Sequence, residues 1–369
     1  MADKHLVFVV GARPNFMKVA PLLRALKPYK TVRSTLVHTG QHYDQNLSKV
    51  FFDEIGLPEP DVSLEVGSGS HAVQTARILE RFEEFLAAAV RNDGVSRVVV
   101  VGDVNSTMAC TLVASKLEVP VAHVEAGLRS FDRSMPEEIN RLVTDVLADC
   151  LLVSEPSGVE NLKAEGRPAA QIHLVGNVMI DTLYHMLPKS KSLGTLSELR
   201  IEPGKYGVVT LHRPANVDEP KSLANLIEIL VRVSQEAPLV FAVHPRTQER
   251  LKQFGLQPSL DAAPNVRVTP PLGYLPFLAL TSQARFIITD SGGLQEESTA
   301  LGVPCLTMRP NTERPITVTE GTSTLVGSDM ASLERCLDQV LAGRYKRGRR
   351  PELWDGHAAE RMAEILARV

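Results

Sequence analysis

The chain has 369 residues, 44% hydrophobic and 22% charged, which is enough material for two cores of ordinary size. Forty basic against 43 acidic residues leave a net charge of -3, so no global positive field recruits nucleic acid or anionic lipid, and any anion must be held by local groups. The longest apolar run near the start, Leu6 to Val10, falls far short of the roughly 20 residues a bilayer span needs, and the scattered Cys110, Cys150, Cys305 and Cys336 have neither zinc-knuckle nor disulfide spacing. A cytoplasmic protein with reduced thiols is expected.

Short β-rich runs alternate with amphipathic stretches, the pattern of parallel strands joined by crossover helices. The first half predicts strands at 6–10, 35–40, 97–103, 119–126, 150–154 and 172–177, several apolar throughout as doubly covered strands are. A polar, poorly periodic stretch from Pro188 to Ser197 follows. The alternation restarts with strands at 206–212, 238–245, 266–271, 285–291, 304–310 and 322–327. The class is therefore α/β, with two similar Rossmann-like lobes divided as 1–177 and 178–355. The tail from 356 to 369 reads as a helix packing back on the first lobe. Two such lobes would face each other across a cleft bounded by the carboxyl ends of both parallel sheets, where ligands sit in open α/β folds. Arg13, Gln41, Asp103, Glu125, His212, His244, Asp290 and Ser291 fall at those strand ends.

Four motifs carry chemistry. In GARPNFMK (11–18), between strand and helix, Gly11 allows a tight turn, and exposed backbone N–H groups with Arg13 could hold a phosphate. A solvated arginine on a plain strand-to-helix turn remains the alternative. Neither GxGxxG nor GxxxxGKS occurs, against nicotinamide binding of the usual kind and P-loop chemistry. In TDSGGLQEE (289–297), Ser291, Gly292 and Gly293 place small residues and N–H donors at a helix start suited to a diphosphate, and Glu296 or Glu297 could accept ribose hydroxyls. The alternative is that Ser291 caps the helix and the glutamates complement its dipole.

The third motif is an acid-rich centre: Asp103, Glu125, and Glu137 with Arg141 one turn on. Carboxylates converging on one cleft would split their pKa values, letting one act as base and another as acid. Glu138 reads as a dipole and pairing residue. The fourth is TLHRPANV (210–217) with AVHPRT (242–247), where His212 or His244 beside an arginine could serve a departing phosphate; His-Pro-Arg is also a plausible polar loop. No histidine spacing resembles a metal site, and none is assigned.

The ordered set GARPN, TGQHYD, GDVNST, HVEAGLRS, MPEEINR, GNVMIDTL, TLHRPANV, TDSGGLQEE and LGVPCLTMRPNTERPITVTEGT, spread nearly end to end, resembles the non-hydrolysing UDP-N-acetylglucosamine 2-epimerases. The resemblance implies a glycosyltransferase B-like fold, a homodimer built on first-lobe helices, a UDP-N-acetylhexosamine substrate, a role in cell-surface polysaccharide biosynthesis, and no cofactor or obligatory metal. It implies C2 inversion through UDP elimination to an enzyme-bound 2-acetamidoglucal, then re-addition. Asp103, Glu125, Glu137, Arg141 and His212 match the family's catalytic positions. Arg13, His212 and the amides of Ser291, Gly292 and Gly293 would stabilise the leaving diphosphate, Glu297 matches the ribose-binding acid, and Phe277 falls where the uracil packs; His244 is a further substrate-binding candidate. The family's activator pocket uses a Gln-His pair and a second glutamine two residues later. Here Gln41 and His42 are followed by Asp44, and GSGSH (67–71) replaces an expected Arg-Gln pair, which argues against activation by substrate. A C3- or C6-modified UDP-sugar, a hydrolysing epimerase, a retaining glycosyltransferase on the same fold and a non-catalytic nucleotide-sugar sensor are the alternatives. The intact acids and His212 speak against the last two.

Overall fold

The computed structural model describes residues 4–41, 52 and 55–368. The chain forms two compact units, Met1–Thr182 with Glu352–Val369, and Leu183–Pro351. Unit 1 holds a seven-stranded parallel sheet of β1 (Lys4–Val10), β2 (Val32–His38), β3 (Val62–Ser63), β4 (Arg97–Val101), β5 (Val121–Ala126), β6 (Cys150–Val153) and β7 (Ile172–Leu174), ordered β3-β2-β1-β4-β5-β6-β7. Unit 2 repeats the order with six parallel strands, β8 (Gly207–Thr210), β9 (Leu239–Ala242), β10 (Val266–Thr269), β11 (Phe286–Thr289), β12 (Cys305–Thr307) and β13 (Ser323–Leu325), as β10-β9-β8-β11-β12-β13. These are the two Rossmann-like α/β domains expected. Both sheets reverse winding direction beside their first strand, between β1 and β4 and between β8 and β11. Such switch points splay the flanking loops apart and leave a crevice at the carboxyl ends of the strands.

Valine-rich strands suit this arrangement because β-branched side chains pack on both faces of a covered sheet. In unit 2, Val209, Phe241 and Ile288 enter one core while Val208, Val240 and Ile287, their neighbours in sequence, enter the other. In unit 1, Ile78, Phe82 and Leu86 from helix His71–Asp93 lie at helical spacing on a core that includes Val7, Val98 and Val100. Each such fully buried side chain contributes about 1.5–3 kcal/mol of transfer free energy.

Two segments differ from the sequence-based reading. β3 has only two residues, too few to carry a period. The stretch after Pro188 is partly helical, since helix Val178–Lys191 runs through Pro188 with Leu183 and Met186 buried beneath it, and Thr195–Glu198 forms a further turn. The division between units falls inside that helix. On the unit 1 side of the break, Asp181 accepts from the amides of Ala358 and Ala359 at 3.2 and 2.7 Å and so caps helix Ala358–Arg368. That helix buries Ala359, Met362 and Leu366 and packs on helix Arg13–Leu26. Among the described residues, no helix is long and apolar enough to cross a membrane.

Candidate functional site

In unit 1 the turn after β1 is closed by Asn15, whose Oδ1 accepts from the amides of Gly11 and Ala12, both at 3.0 Å, while its Nδ2 donates to Val101 O at 2.9 Å. Those amides are therefore already used, which corrects the expectation that they await a phosphate. The part of that expectation left standing is the Arg13 side chain, at the first position of its helix. Gly11 is required by close approach: a Cβ there would lie 2.3 Å from Ser106 Oγ.

Further along that helix, Lys18 is buried and donates to Glu125 Oε2, also buried. Glu125, the penultimate residue of β5, has φ +71, a conformation that costs a non-glycine residue and recurs at functional sites. On the adjacent strand end, Asp103 Oδ2 sits 2.5 Å from Arg141 Nη2. Arg141 is buried and turns its other branch to Glu138, at 3.0 Å. Glu138 also accepts from the amides of Ser130 and Phe131, at 2.8 and 3.0 Å, and so fixes the loop ahead of its helix.

Glu137 is exposed and lines, with Asp103, Gln41, Gln74, Asn105 and Asn140, a cavity of about 390 Å³. Asp103 and Glu137 thus share one space, while Glu125 lies beside it under Gly102, where a Cβ would come 3.3 Å from Lys18 Nζ and 3.6 Å from Glu125 Oε2. Asp103 and Glu125 each face a buried cation, because an unpaired charge at that depth would cost several kcal/mol. Lys18 escaped the sequence reading, although a lone lysine inside the apolar run FMKVA was its signal. Gln41 is a structural joint: its Oε1 accepts from Ser106 N and Oγ at 3.0 and 2.7 Å, and its carbonyl from Gln74 Nε2 at 2.8 Å. His42 and Asp44 lie outside the described residues.

Behind the acids, His123 bridges Gly102 O and Asp145. Burial alone would push the Asp145 carboxyl up, but His123 and Arg129 together hold it below its ordinary value.

In unit 2 the organising group is Asp290, fully buried just past β11. It accepts from the amides of His212 and Arg213 at 3.0 and 2.8 Å and from Asn216 Nδ2 at 3.0 Å, and it pairs with His212 Nδ1 at 2.8 Å. With Nδ1 engaged, the opposite Nε2 of this 41%-exposed ring is the nitrogen available for chemistry. The His244 ring stands 5.5 Å from that of His212, and its Nδ1 accepts from Arg246 N at 3.2 Å, capping helix Pro245–Gln253. Burial first, then the neighbouring His212, lowers the His244 pKa, consistent with a neutral, accepting ring.

Helix Gly292–Leu301 begins after Ser291, whose side chain makes no cap hydrogen bond and whose amide donates instead to Thr289 Oγ1 at 3.0 Å. The first turn contains no acid. The capping account of this motif therefore fails on both counts. A Cβ on Gly292 would lie 3.1 Å from Arg314 Nη1 and 3.6 Å from Arg309 Nη1, so two guanidinium groups flank the positive end of the helix. Arg309 is locked to Glu313 by bonds of 3.0 and 2.9 Å, and Arg314 Nε bonds Glu296 at 2.5 Å. Burial would raise the Glu313 carboxyl, yet Arg309 and Arg314 bring it down to about 2. Neither arginine was singled out from sequence, although both precede a proline in MRPNTERP.

Glu297 is buried and accepts from Tyr274 OH at 3.1 Å. Burial raises its pKa to about 7, with Glu296 adding to the rise and Tyr274 only partly opposing it. Phe277 packs half-buried on the edge of the second core. Among the described residues no cluster of three His, Cys, Asp or Glu is placed to hold a metal ion.

A sequence profile of the UDP-N-acetylglucosamine 2-epimerase family matches residues 24–367. The chain is 39% identical over 366 residues to the UDP-N-acetylglucosamine 2-epimerase of Methanocaldococcus jannaschii, covering 98% of each chain. It is 38% identical over 368 residues to the UDP-2,3-diacetamido-2,3-dideoxy-D-glucuronate 2-epimerase of Pseudomonas aeruginosa, covering 99% of each. The crystal structure of the M. jannaschii enzyme in complex with UDP-GlcNAc and UDP superposes with a TM-score of 0.86 over 99% of this chain and 100% of that one, at 39% identity. Phytolacca americana UGT2, at 13% identity and a TM-score of 0.59 over 100% of this chain and 95% of that one, shares the fold alone, which is glycosyltransferase B-like. Matched along nearly its whole length, the chain belongs to the UDP-N-acetylglucosamine 2-epimerase family.

Proposed function

We propose that the protein is a non-hydrolysing epimerase that inverts C2 of UDP-N-acetylglucosamine to give UDP-N-acetylmannosamine. The observation that carries this reading is the acid pair Asp103 and Glu125 at neighbouring strand ends, each facing its own cation, in a chain of this family.

The C2 hydrogen has no adjacent carbonyl to acidify it, so its removal must be coupled to loss of UDP from C1. The base takes the C2 proton, the C–H electrons form the C1–C2 double bond, and the C1–O bond electrons leave with UDP. Re-addition of UDP, with a proton delivered to the other face of the ring, gives the epimer. Stabilising the departing diphosphate is the main demand. In unit 2 that role falls to the amides of Gly292 and Gly293, Arg314 and His212 Nε2, with His244 neutral beside it; in unit 1 Arg13 is a further phosphate candidate. Glu297 takes the ribose hydroxyls and Phe277 the uracil. In unit 1 Asp103, Glu125 and Glu137 act on the hexose, with Lys18 and Arg141 holding the first two in place.

A homodimer goes with this reading. Helix Pro136–Leu147 buries its polar side, Glu138, Asn140, Arg141, Thr144 and Asp145, and turns Ile139 and Val146 to solvent at 41% and 58% exposure. An inverted helix of this kind calls for a covering partner. Sedimentation at micromolar concentration is expected to give twice the chain mass of 40.3 kDa.

The test of the activity is incubation with UDP-N-acetylglucosamine in deuterated water, followed by NMR. Deuterium at C2 of both epimers with little free sugar is expected. Stoichiometric UDP and free N-acetylmannosamine would mean hydrolysis, and no turnover would reject the reading. The P. aeruginosa relative supports a second substrate class, so a UDP-2,3-diacetamido sugar belongs in the same experiment.

A further inference from the structure

Behind the unit 1 acids runs a chain of polar side chains, buried up to its Glu165 end, that the reading above does not use. His123 lies fully buried in β5, two residues before Glu125. Its Nε2 is 2.8 Å from the Gly102 carbonyl oxygen and its Nδ1 is 2.6 Å from Asp145 Oδ1. The other Asp145 oxygen accepts from the Gly127 amide at 3.0 Å and from Arg129 Nη1 at 2.7 Å. Arg129 then forks onto Glu165, its Nε and Nη2 at 2.8 and 2.6 Å.

A carbonyl oxygen has no hydrogen to give, and neither has a carboxylate that already accepts from an amide and a guanidinium. His123 therefore donates from both ring nitrogens. The ring is sealed from water, with Asp145 against it as Glu165 is against Arg129. The two ends of the bridge fall where the acids leave their strands. Gly102 directly precedes Asp103, and Gly127 follows Glu125 by two residues. Gly102, Glu125 and Gly127 have φ of +70, +71 and +82, so this backbone does not follow from strand geometry and must be held from outside.

We propose that His123 and Asp145 are positioning residues that set the separation of Asp103 and Glu125, through a bridge running from the Gly102 carbonyl to the Gly127 amide. The kinetic part of the proposal rests on these acids being the proton-transfer pair assigned above. An error of about 1 Å in such a pair costs on the order of 100-fold in rate.

Two measurements on the full chain test it. Nitrogen-15 NMR of the His123 ring, assigned by its loss in His123→Gln, should show hydrogen on both nitrogens at about pH 7.5. This readout is independent of turnover, and a bare nitrogen overturns the bridge whatever the activity. In kinetics, His123→Gln keeps an amide donor near the Gly102 carbonyl and should retain kcat within about 5-fold. His123→Asn, whose shorter amide reaches Asp145 but not Gly102, should lower kcat about 50-fold with KM and UDP affinity within about 2-fold. Combining His123→Asn with Asp103→Asn should be no slower than Asp103→Asn alone. Multiplying losses in the double variant, or equal falls of kcat, UDP affinity and melting temperature in both single variants, would overturn the positioning role. A wild-type chain that turns over no UDP-hexosamine would reject the proposed function instead, and the ring measurement would still decide the bridge.

Discussion

The two units place oppositely built charge pairs at equivalent strand ends. In unit 1 the inner partner of Asp103 is the cation: Arg141 has 4% side-chain exposure against 28% for the acid it holds, while Lys18 and Glu125 are equally buried. In unit 2 the inner partner is the acid: Asp290 at 0% holds His212 at 41%, and Glu296 at 2% holds Arg314 at 11%. One topology thus presents carboxylates from one unit and an imidazole and a guanidinium from the other. The buried member of each pair fixes charge and direction, and the outer member is left to meet substrate. Acids facing outward suit proton transfer at the hexose, and an imidazole and a guanidinium facing outward suit a departing diphosphate.

This contrast is broken most directly by removing charge from the unit 1 acids. Asp103→Asn and Glu125→Gln are each expected to lower kcat about 100-fold or more with UDP affinity nearly unchanged. Wild-type turnover in either variant removes that residue from the chemistry. In unit 2 the effects should reverse. Arg314→Ala is expected to weaken UDP binding about 30-fold by titration calorimetry, because it deletes a charged donor from the helix start and its ion pair with Glu296. Undiminished affinity would move the diphosphate elsewhere.

A smaller effect concerns Glu297. Its ionised form accepts two hydroxyl hydrogen bonds, and its pKa near 7 leaves it about half protonated at neutrality. Raising pH through that range should tighten UDP binding by up to about 10-fold, and Glu297→Gln should bind weakly with no such trend. A flat profile for the wild-type chain would contradict the assignment. The smallest expectation is kinetic: rate should follow simple saturation with substrate, since Gln41 is engaged by Ser106 and Gln74. A sigmoidal onset would show that an activator site operates.

Much of this molecule could be read from residue order. The alternation of buried-type strands with amphipathic stretches is a local property of the chain, and twelve of the thirteen strands follow from it; the two-residue β3 could not, since its pairing with β2 is a long-range event. The motif residues at strand ends were likewise visible, because loops at those ends must carry polar and small residues. Only the tertiary structure decided which partners those residues have. Lys18, on the helix after β1, meets Glu125 across 107 positions by reaching past β4 to β5, and His212 meets Asp290 across 78 because β8 and β11 are neighbours at a reversal of winding. The use of the Gly11 and Ala12 amides by Asn15, and the absence of a Ser291 cap, were hidden for the same reason. Their hydrogen bonds depend on what stands nearby in space, and sequence spacing alone does not encode it.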